Sequence, residues 1–375
     1  MIHRHRVVGV VALTALSSLG ITSACGVDGG VEGASTSGAS GSAGTSGTSG
    51  SAGTSGTSGS AGTSGSTTSG DAAPKTDVKE LWPSADLRSL AVGGGKLVFA
   101  QSDGLQWCEA PECPARTQAS NAPGPAPTSV TFGGAKFHAT FDTQLRTCEV
   151  KPDAVDCNGG DTATDVLFSG ATRLRFDETS FVWTVGSTVK WFAVGEAIQD
   201  VAGGAGHDGI ALADNQLFFT STGAAGKALK IGDFKATAMA GNGPNNKVVL
   251  ASNLVEPNDI AVGGEDVFFA VSGNAGLANG YVQRCKVSAG SGSSCPKVVE
   301  GLAGPRAIAV DATDVYVSET GKNRVLRVPR DGTPLAIIAI DLVSPTDIVL
   351  DGAYAYVIAI DATAKRRAYR VKKRP

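Results

Sequence analysis

Apolar and polar positions follow a pattern that recurs along the chain from about residue 88 onward. The phrase PRAIAVDATDVYVSET at 305–320 has counterparts in PNDIAVGGEDVFFAVS at 257–272 and PTDIVLDGAYAYVIAI at 345–360. The central apolar residue of the phrase serves as an anchor for each repeat. The seven anchors are Leu90, Val130, Leu174, Ile210, Ile260, Ile308 and Ile348. Recurrence every 36–50 residues or so indicates one supersecondary unit built many times over.

Each repeat predicts the same short elements. A strand such as AIAV is followed by a turn rich in Gly, Asp or Asn, and then by a strand rich in aromatic and β-branched residues. A third strand and often a fourth follow, the fourth being clearest at 247–254 and 335–342. Four short antiparallel strands per 40 residues or so are typical of a propeller blade. The sequence therefore predicts an all-β, seven-bladed β-propeller. Six blades with an irregular region are the alternative, since the repeat at Leu174 fits least well.

The ends of the repeat region indicate how the ring closes. The last repeat has three recognisable strands, whereas TDVKELW at 76–82 has a strand pattern without a partner of its own. We expect this segment to be the outer strand of the seventh blade, because that pairing removes an exposed sheet edge. The predicted propeller domain is 76–375.

Composition divides the rest of the chain. Residues 25–75 are dominated by Gly, Ser, Thr and Ala, with GSAGTSGTS at 41–49 repeated at 50–58. Such a segment has almost no large apolar side chain to bury and cannot offset its chain entropy, so we predict a disordered tether. The formal net charge of −3 is close to balance and gives no reason to expect a nucleic-acid partner.

Residues 1–24 have the pattern of an export signal. Arg4 and Arg6 precede an apolar stretch, 7–21, that is too short to span a bilayer comfortably. Small residues then lead to Cys25, which resembles the lipobox cysteine of bacterial lipoproteins. Thr22 departs from the leucine usual in that motif, so ordinary cleavage near Ala24 is the alternative. The resemblance implies lipidation at Cys25 and a membrane-anchored protein in the envelope, at the outer membrane or cell surface of a Gram-negative bacterium.

The six remaining cysteines fall into three close pairs. An exported protein reaches an oxidising compartment, where disulfides persist. We predict the local pairings Cys108–Cys113, Cys148–Cys157 and Cys285–Cys295. Other pairings of six cysteines stay open on the sequence alone.

The repeat pattern P-x-x-I-A-V-D-x-x-x-V-Y, together with the lipobox and the Gly/Ser-rich tether, resembles exported propeller lipoproteins of myxobacteria and their relatives. The strand pattern is also similar to that of NHL-type and TolB-like propellers. The resemblance covers 76–375 and implies a fold rather than an activity.

Candidate ligand residues stand just before the anchors, where the innermost strands begin at one end of the central channel. The predicted channel-mouth set is Arg173, Asp208, Asn258, Asp259, Arg306 and Asp347. Carboxylates are hard oxygen ligands, and the three aspartates predict a Ca²⁺ site. Two other interpretations stay open. Asp and Asn before a strand commonly bond their own backbone, and the two arginines are available to pair with the acids.

The sequence identifies no catalytic residues. Our main hypothesis is a monomeric, non-enzymatic binding or scaffold module for a protein or glycan partner. Its loops at 273–280 and 223–227 are expected to lie on one face of the rigid scaffold, where binding residues are common. The alternative is a metal-assisted, lactonase- or lyase-like enzyme at the channel mouth. Propellers of that kind use metal ions near such a position, although this sequence carries no matching set of Glu, Asn and His residues. That alternative requires Asp208, Asp259 and Asp347.

Overall fold

The structure is a computed structural model that describes residues 77–374 apart from gaps at 83–85, 121, 123–125, 159–160, 165–167, 204–205, 224, 236–246, 333 and 362. The predicted export signal, Cys25 and most of the tether lie outside the described residues. No helix within the described ranges is long and apolar enough to cross a bilayer.

Seven antiparallel sheets make up the described chain, and each forms one blade. In chain order, the strands of blades one to three are β2 (Ser89–Gly93), β3 (Lys96–Gln101), β4 (Gly104–Glu109) and β5 (Thr117–Gln118); β6 (Ser129–Gly133), β7 (Lys136–Phe141), β8 (Gln144–Lys151), β9 (Ala154–Asp156) and β10 (Asp161–Thr164); and β11 (Thr172–Asp177), β12 (Ser180–Val185), β13 (Thr188–Ala193) and β14 (Gln199–Gly203). Blades four and five comprise β15 (Ile210–Ala213), β16 (Gln216–Ser221), β17 (Gly226–Ile231) and β18 (Lys247–Leu254), then β19 (Pro257–Gly263), β20 (Asp266–Val271), β21 (Gly280–Lys286) and β22 (Lys297–Leu302). Blades six and seven comprise β23 (Pro305–Val310), β24 (Asp314–Glu319), β25 (Arg324–Pro329) and β26 (Ala336–Ala339), then β27 (Asp347–Asp351), β28 (Tyr354–Ile360), β29 (Arg366–Lys372) and the N-terminal β1 (Val78–Trp82).

The ring closes as the sequence predicted. Strand β1 pairs antiparallel with β29, with Val78 opposite Val371 and Glu80 opposite Tyr369. The first strands of neighbouring blades contact one another all the way round, including β27 of blade seven with β2 of blade one. The seven-bladed prediction is confirmed and the six-bladed alternative is wrong. The sequence pattern missed β9, a short extra strand that pairs with β8.

The core lies between blades rather than in one central mass. The described residues form seven buried hydrophobic clusters, one for each pair of neighbouring blades. The second strand of a blade is covered on both faces, and β3, β20 and β24 are buried at every position. This explains why those strands read as continuous apolar runs, LVFA or VFFA, instead of alternating with polar residues.

The antiparallel strand order sorts the loops onto two faces. The connection into each first strand and the loop between second and third strands lie on one face, which we call the proximal face. The turns between first and second strands and the connections between third and fourth strands lie on the other, the distal face. The loops at 273–280 and 223–227 both join second to third strands. They therefore share the proximal face, as expected.

The three predicted cysteine pairs lie at disulfide distance. The sulfur atoms are 2.01 Å apart in Cys108–Cys113, 2.06 Å in Cys148–Cys157 and 1.96 Å in Cys285–Cys295. Each bond closes a connection that follows a third strand, so all three staple the distal face.

The repeated Gly-Gly turn has a packing role. In the turn after β2, Gly94 and Gly95 have φ values of 57° and 74°, the left-handed region that a two-residue hairpin turn requires. Gly93 before them is needed for space, because a Cβ there would overlap the ring of Phe132 in the next blade. Gly133 makes the same room for Phe176, and Gly263 for Val310.

We expect Gly93→Ala to lower the free energy of unfolding by about 1–3 kcal/mol, because the added methyl group overpacks the interface with Phe132. Chemical denaturation measures this change. The matched control is Gly232→Ala, since a Cβ at Gly232 meets nothing within 4 Å. Equal effects of the two substitutions would contradict the packing role.

Candidate functional site

The seven first strands surround a central channel of about 750 Å³. Its proximal end is charged, because the residues just before the anchors lie there. Its distal end is lined by apolar side chains two places after the anchors: Val92, Phe132, Phe176, Leu212, Val262, Val310 and Leu350. Ligand chemistry in the channel is therefore confined to the proximal end.

Bulges in three first strands set the direction of the charged side chains. The pairing register of β11 shifts between Thr172 and Arg175, that of β19 between Pro257 and Ile260, and that of β23 between Pro305 and Ile308. Each shift places one extra residue on the first strand. A bulge of this kind re-aims side chains next to it. The bulged segments hold Arg173, Asp259 and Arg306.

Arg173 bridges two blades that are not its own. It belongs to blade three, yet its Nη1 lies 3.8 Å from Asp259 Oδ2 of blade five and 3.8 Å from Asp347 Oδ1 of blade seven. Its backbone has a φ of 54°, which is uncommon for a residue other than glycine. Burial disfavours the charge on Arg173, but Asp259, Asp347 and Asp208 outweigh it and raise its pKa. For Asp347, burial disfavours the charged carboxylate and therefore raises its pKa, and Arg173 opposes this shift.

Asp259 also joins blade five to blade six. Its Oδ1 accepts a hydrogen bond from its neighbour Ile260 N at 3.0 Å, and its Oδ2 accepts one from Ile308 N at 3.3 Å. Ser89 and Ser129 occupy the same place before their anchors. Their hydroxyl oxygens accept the N–H of the next anchor, Val130 at 3.3 Å and Leu174 at 3.2 Å. A polar residue one place before the anchor is thus an inter-blade link, and Asp259 is the charged version of it.

These contacts do not support the predicted calcium site. Within the described ranges, no group of three or more His, Cys, Asp and Glu side chains is arranged to hold a metal ion. A guanidinium already lies between Asp259 and Asp347, in the place where a cation would neutralise them. Asn258 also leaves the predicted set, since its Nδ2 donates to Ser272 Oγ at 2.5 Å and to Pro305 O at 2.9 Å. The residues therefore do not fit Ca²⁺, and the pairing of acids with an arginine is the arrangement observed.

The channel holds more positive charge than the sequence analysis recognised. Five arginines line it, against two aspartates, Asp208 and Asp347. The arginines are Arg88, Arg173, Arg175, Arg306 and Arg366. Burial, assisted by Arg173 and opposed by Asp259, lowers the pKa of Arg175. Arg175 follows its anchor and Arg366 begins a third strand, so neither has the pattern of a polar residue just before an anchor.

His207 also lines the channel and is not in the predicted channel-mouth set. It is buried, and its Nδ1–H donates to Thr220 O at 3.0 Å. That bond leaves Nε2 as the acceptor of the neutral ring, and Nε2 has no hydrogen-bond partner in the described part of the chain. Burial, with a smaller contribution from Lys247, lowers the pKa of His207 although Thr220 and Asp208 oppose it. The ring therefore presents a buried, unused acceptor beside the channel.

A groove of about 350 Å³ lies next to the channel on the proximal face. The loop at 273–277 lines one part of it, and Ala303, Gly304, Arg306 and residues 320–321 line another. Glu256, which is exposed, lines the groove as well. Leu277 is exposed there over 55% of its surface. Arg306 lines both the groove and the channel, and Asn258 lines the groove alone.

Comparison with solved structures identifies the architecture. Virginiamycin B lyase from Staphylococcus aureus is similar at a TM-score of 0.57 and 15% identity, over 80% of this chain and 99% of that one. The WD40 β-propeller domain of Doa1 is similar at a TM-score of 0.53 and 12% identity, over 78% and 95%. PorZ of Porphyromonas gingivalis, a bacterial surface component of a type-IX secretion system, is similar at a TM-score of 0.52 and 12% identity, over 78% of this chain and 39% of that one.

The structure defines the class, a seven-bladed β-propeller, and the likenesses agree with that fold. At 12–15% identity they establish the fold alone, since propellers host many unrelated functions. No protein-family model matches the sequence, and no curated protein matches it significantly.

Proposed function

We propose that the protein is an exported, lipid-anchored propeller that binds a protein or glycan partner through its proximal face. The observation that carries this proposal is the juxtaposition of the channel and the groove, which open side by side and share Arg306. A rigid scaffold with two adjoining concave sites and flanking loops is suited to recognition.

Two further features support the proposal. Three disulfides are expected of a protein that works in an oxidising compartment, which agrees with the export signal predicted at 1–24. Lipidation at Cys25 and the predicted tether at 25–75 would hold the propeller at a membrane of the envelope. The enzymatic alternative has less support, because Asp259 and Asp347 are engaged with Arg173 rather than with an open metal site.

Affinity capture from a detergent extract of the native envelope tests the proposed face. We expect Leu277→Asp to reduce recovery of the bound partner by at least tenfold, because a charge in the groove opposes apolar contact there. Leu335→Asp is the matched control, since Leu335 is 43% exposed but lies on the distal face. Capture that is unaffected by Leu277→Asp, or lost equally in both variants, would contradict the proposal.

A further inference from the structure

The proximal end of the channel contains guanidinium groups that form no ion pair with a described acidic residue. Arg306 of blade six is exposed and makes no hydrogen bond or ion pair with another described residue. Among the described residues, Arg366 of blade seven donates a single long hydrogen bond, 3.4 Å, to Leu87 O. Arg88 of blade one likewise donates one of 3.4 Å, to Pro127 O. These three arginines stand on consecutive blades, and we call them the arginine arc.

The channel that holds the arc is lined mainly by positive charge, although the protein as a whole is slightly negative. The full chain carries a formal net charge of −3, whereas five arginines and two aspartates line the channel. Asp347 is engaged with Arg173 and is not available to the arc. Charge lining a concave site with low-dielectric walls concentrates ligands of the opposite sign. The channel is therefore a site for an anion.

Arginine selects the kind of anion. Its planar guanidinium presents paired donors that match a carboxylate or phosphate in bidentate geometry. The arc therefore suits a ligand with a carboxylate or phosphate group. His207 Nε2 has no hydrogen-bond partner in the described part of the chain, but it is enclosed by protein atoms and is not counted among the ligand contacts.

The groove indicates that this ligand is a peptide. Arg306 lines the groove as well as the channel, so a chain lying in the groove can bring one side chain to the arc. Glu256 also lines the groove, so the acidic side chain of the ligand is placed at Arg306, and its other contacts with the groove are neutral or apolar. Leu277 offers an apolar contact in the same groove. No aromatic side chain lines the groove, and the channel phenylalanines are at its distal end among the described residues. Sugar rings therefore lack the flat aromatic surface on which they commonly stack.

We propose that the arginine arc and the adjoining groove bind an acidic peptide segment of a partner protein, with Arg306 pairing with a Glu or Asp carboxylate and Leu277 contacting a neighbouring apolar side chain. This assignment rests on the proposed function and specifies its partner. Arg88 and Arg366 supply further positive charge.

Fluorescence anisotropy with synthetic peptides tests the assignment on the purified full chain. The probes are labelled, N-acetylated hexapeptides of Ala and Leu with one Glu at each position in turn, and the same peptides with Gln. We expect at least one Glu peptide to bind about tenfold more tightly than its Gln counterpart, because a charge-assisted bidentate pair is lost in the amide.

Arg306→Gln should abolish that preference, whereas Lys372→Gln should retain it. Lys372 is exposed on the outer part of blade seven and is a matched loss of one positive charge. Absence of any Glu preference, or its survival in Arg306→Gln, would overturn the assignment. So would binding of trigalacturonate through Arg306 when no peptide binds, since that result names an acidic glycan. Capture from the envelope that is lost in Leu277→Asp but kept in Arg306→Gln would overturn the acidic peptide and leave the proposed function standing.

Discussion

Replacement of Asp259 by alanine is expected to lower the free energy of unfolding by about 3–5 kcal/mol, the cost typical of breaking a buried ion pair. The Asp259 side chain is 4% exposed and lies 3.8 Å from Arg173 Nη1. Its loss leaves the half-buried guanidinium of Arg173 with Asp347 as the remaining carboxylate within 4 Å among the described residues. It also leaves the N–H of Ile308 without its acceptor at the junction of blades five and six. Urea denaturation of the variant measures the change.

Asp208→Ala is the control for charge at the same channel mouth. Asp208 is exposed and forms no close ion pair with another described residue, so we expect a change of less than about 1 kcal/mol. Similar losses in the two variants would show that Asp259 has no special structural role. An Asp259→Ala variant as stable as the wild type would contradict the inter-blade link altogether.

The stability of the propeller is expected to fall as the pH drops from 7 to 4, and His138 should account for about 3 kcal/mol of that fall. Burial between Phe176 and Phe181 lowers the pKa of His138 from 6.5 to about 4, although a hydrogen bond to Gly133 opposes the shift. Below pH 6.5 the unfolded chain binds a proton that the folded ring still excludes. Protons therefore favour the unfolded state until the pH reaches the folded pKa.

Comparison with His138→Gln isolates this contribution from that of the carboxylates. Glutamine keeps a donor and an acceptor for Gly133 O and Thr147 Oγ1 but does not titrate. The unfolding free energy of the variant, whatever its value at pH 7, should decline less steeply toward pH 4. Parallel pH profiles for the two proteins would contradict the assigned cause.

The architecture was predictable because each repeat carries its own structural signal. The anchors Leu90 to Ile348 recur in every blade, and the apolar second strands identify the buried inter-blade surfaces. The unpaired strand at 76–82 and the incomplete last repeat together predicted ring closure. The disulfide pairs followed from local spacing. Strand β9 was missed because AVD at 154–156 is too short to be recognised by its pattern.

The site was less predictable because its contacts join blades far apart in sequence. Nothing near Arg173 indicates that it reaches Asp259 and Asp347 on two other blades. The bulges that re-aim these side chains depend on pairing register, which a single strand does not reveal. Asn258 and Asp259 were placed in one set, although adjacent residues of an extended segment point their side chains to opposite faces. The free charge of Arg306 was visible only once its surroundings were known.

The central claim is that the proximal face is the face that binds. Site-specific photocrosslinking in cells that make the protein natively tests it most directly, with a photoreactive amino acid placed in turn at Leu277 and at Leu335. Both side chains are exposed, at 55% and 43%, so the two positions are comparably accessible. The account predicts a discrete crosslinked product of defined mass from position 277 and none from position 335. A product from position 335 alone, or from neither position, would contradict it.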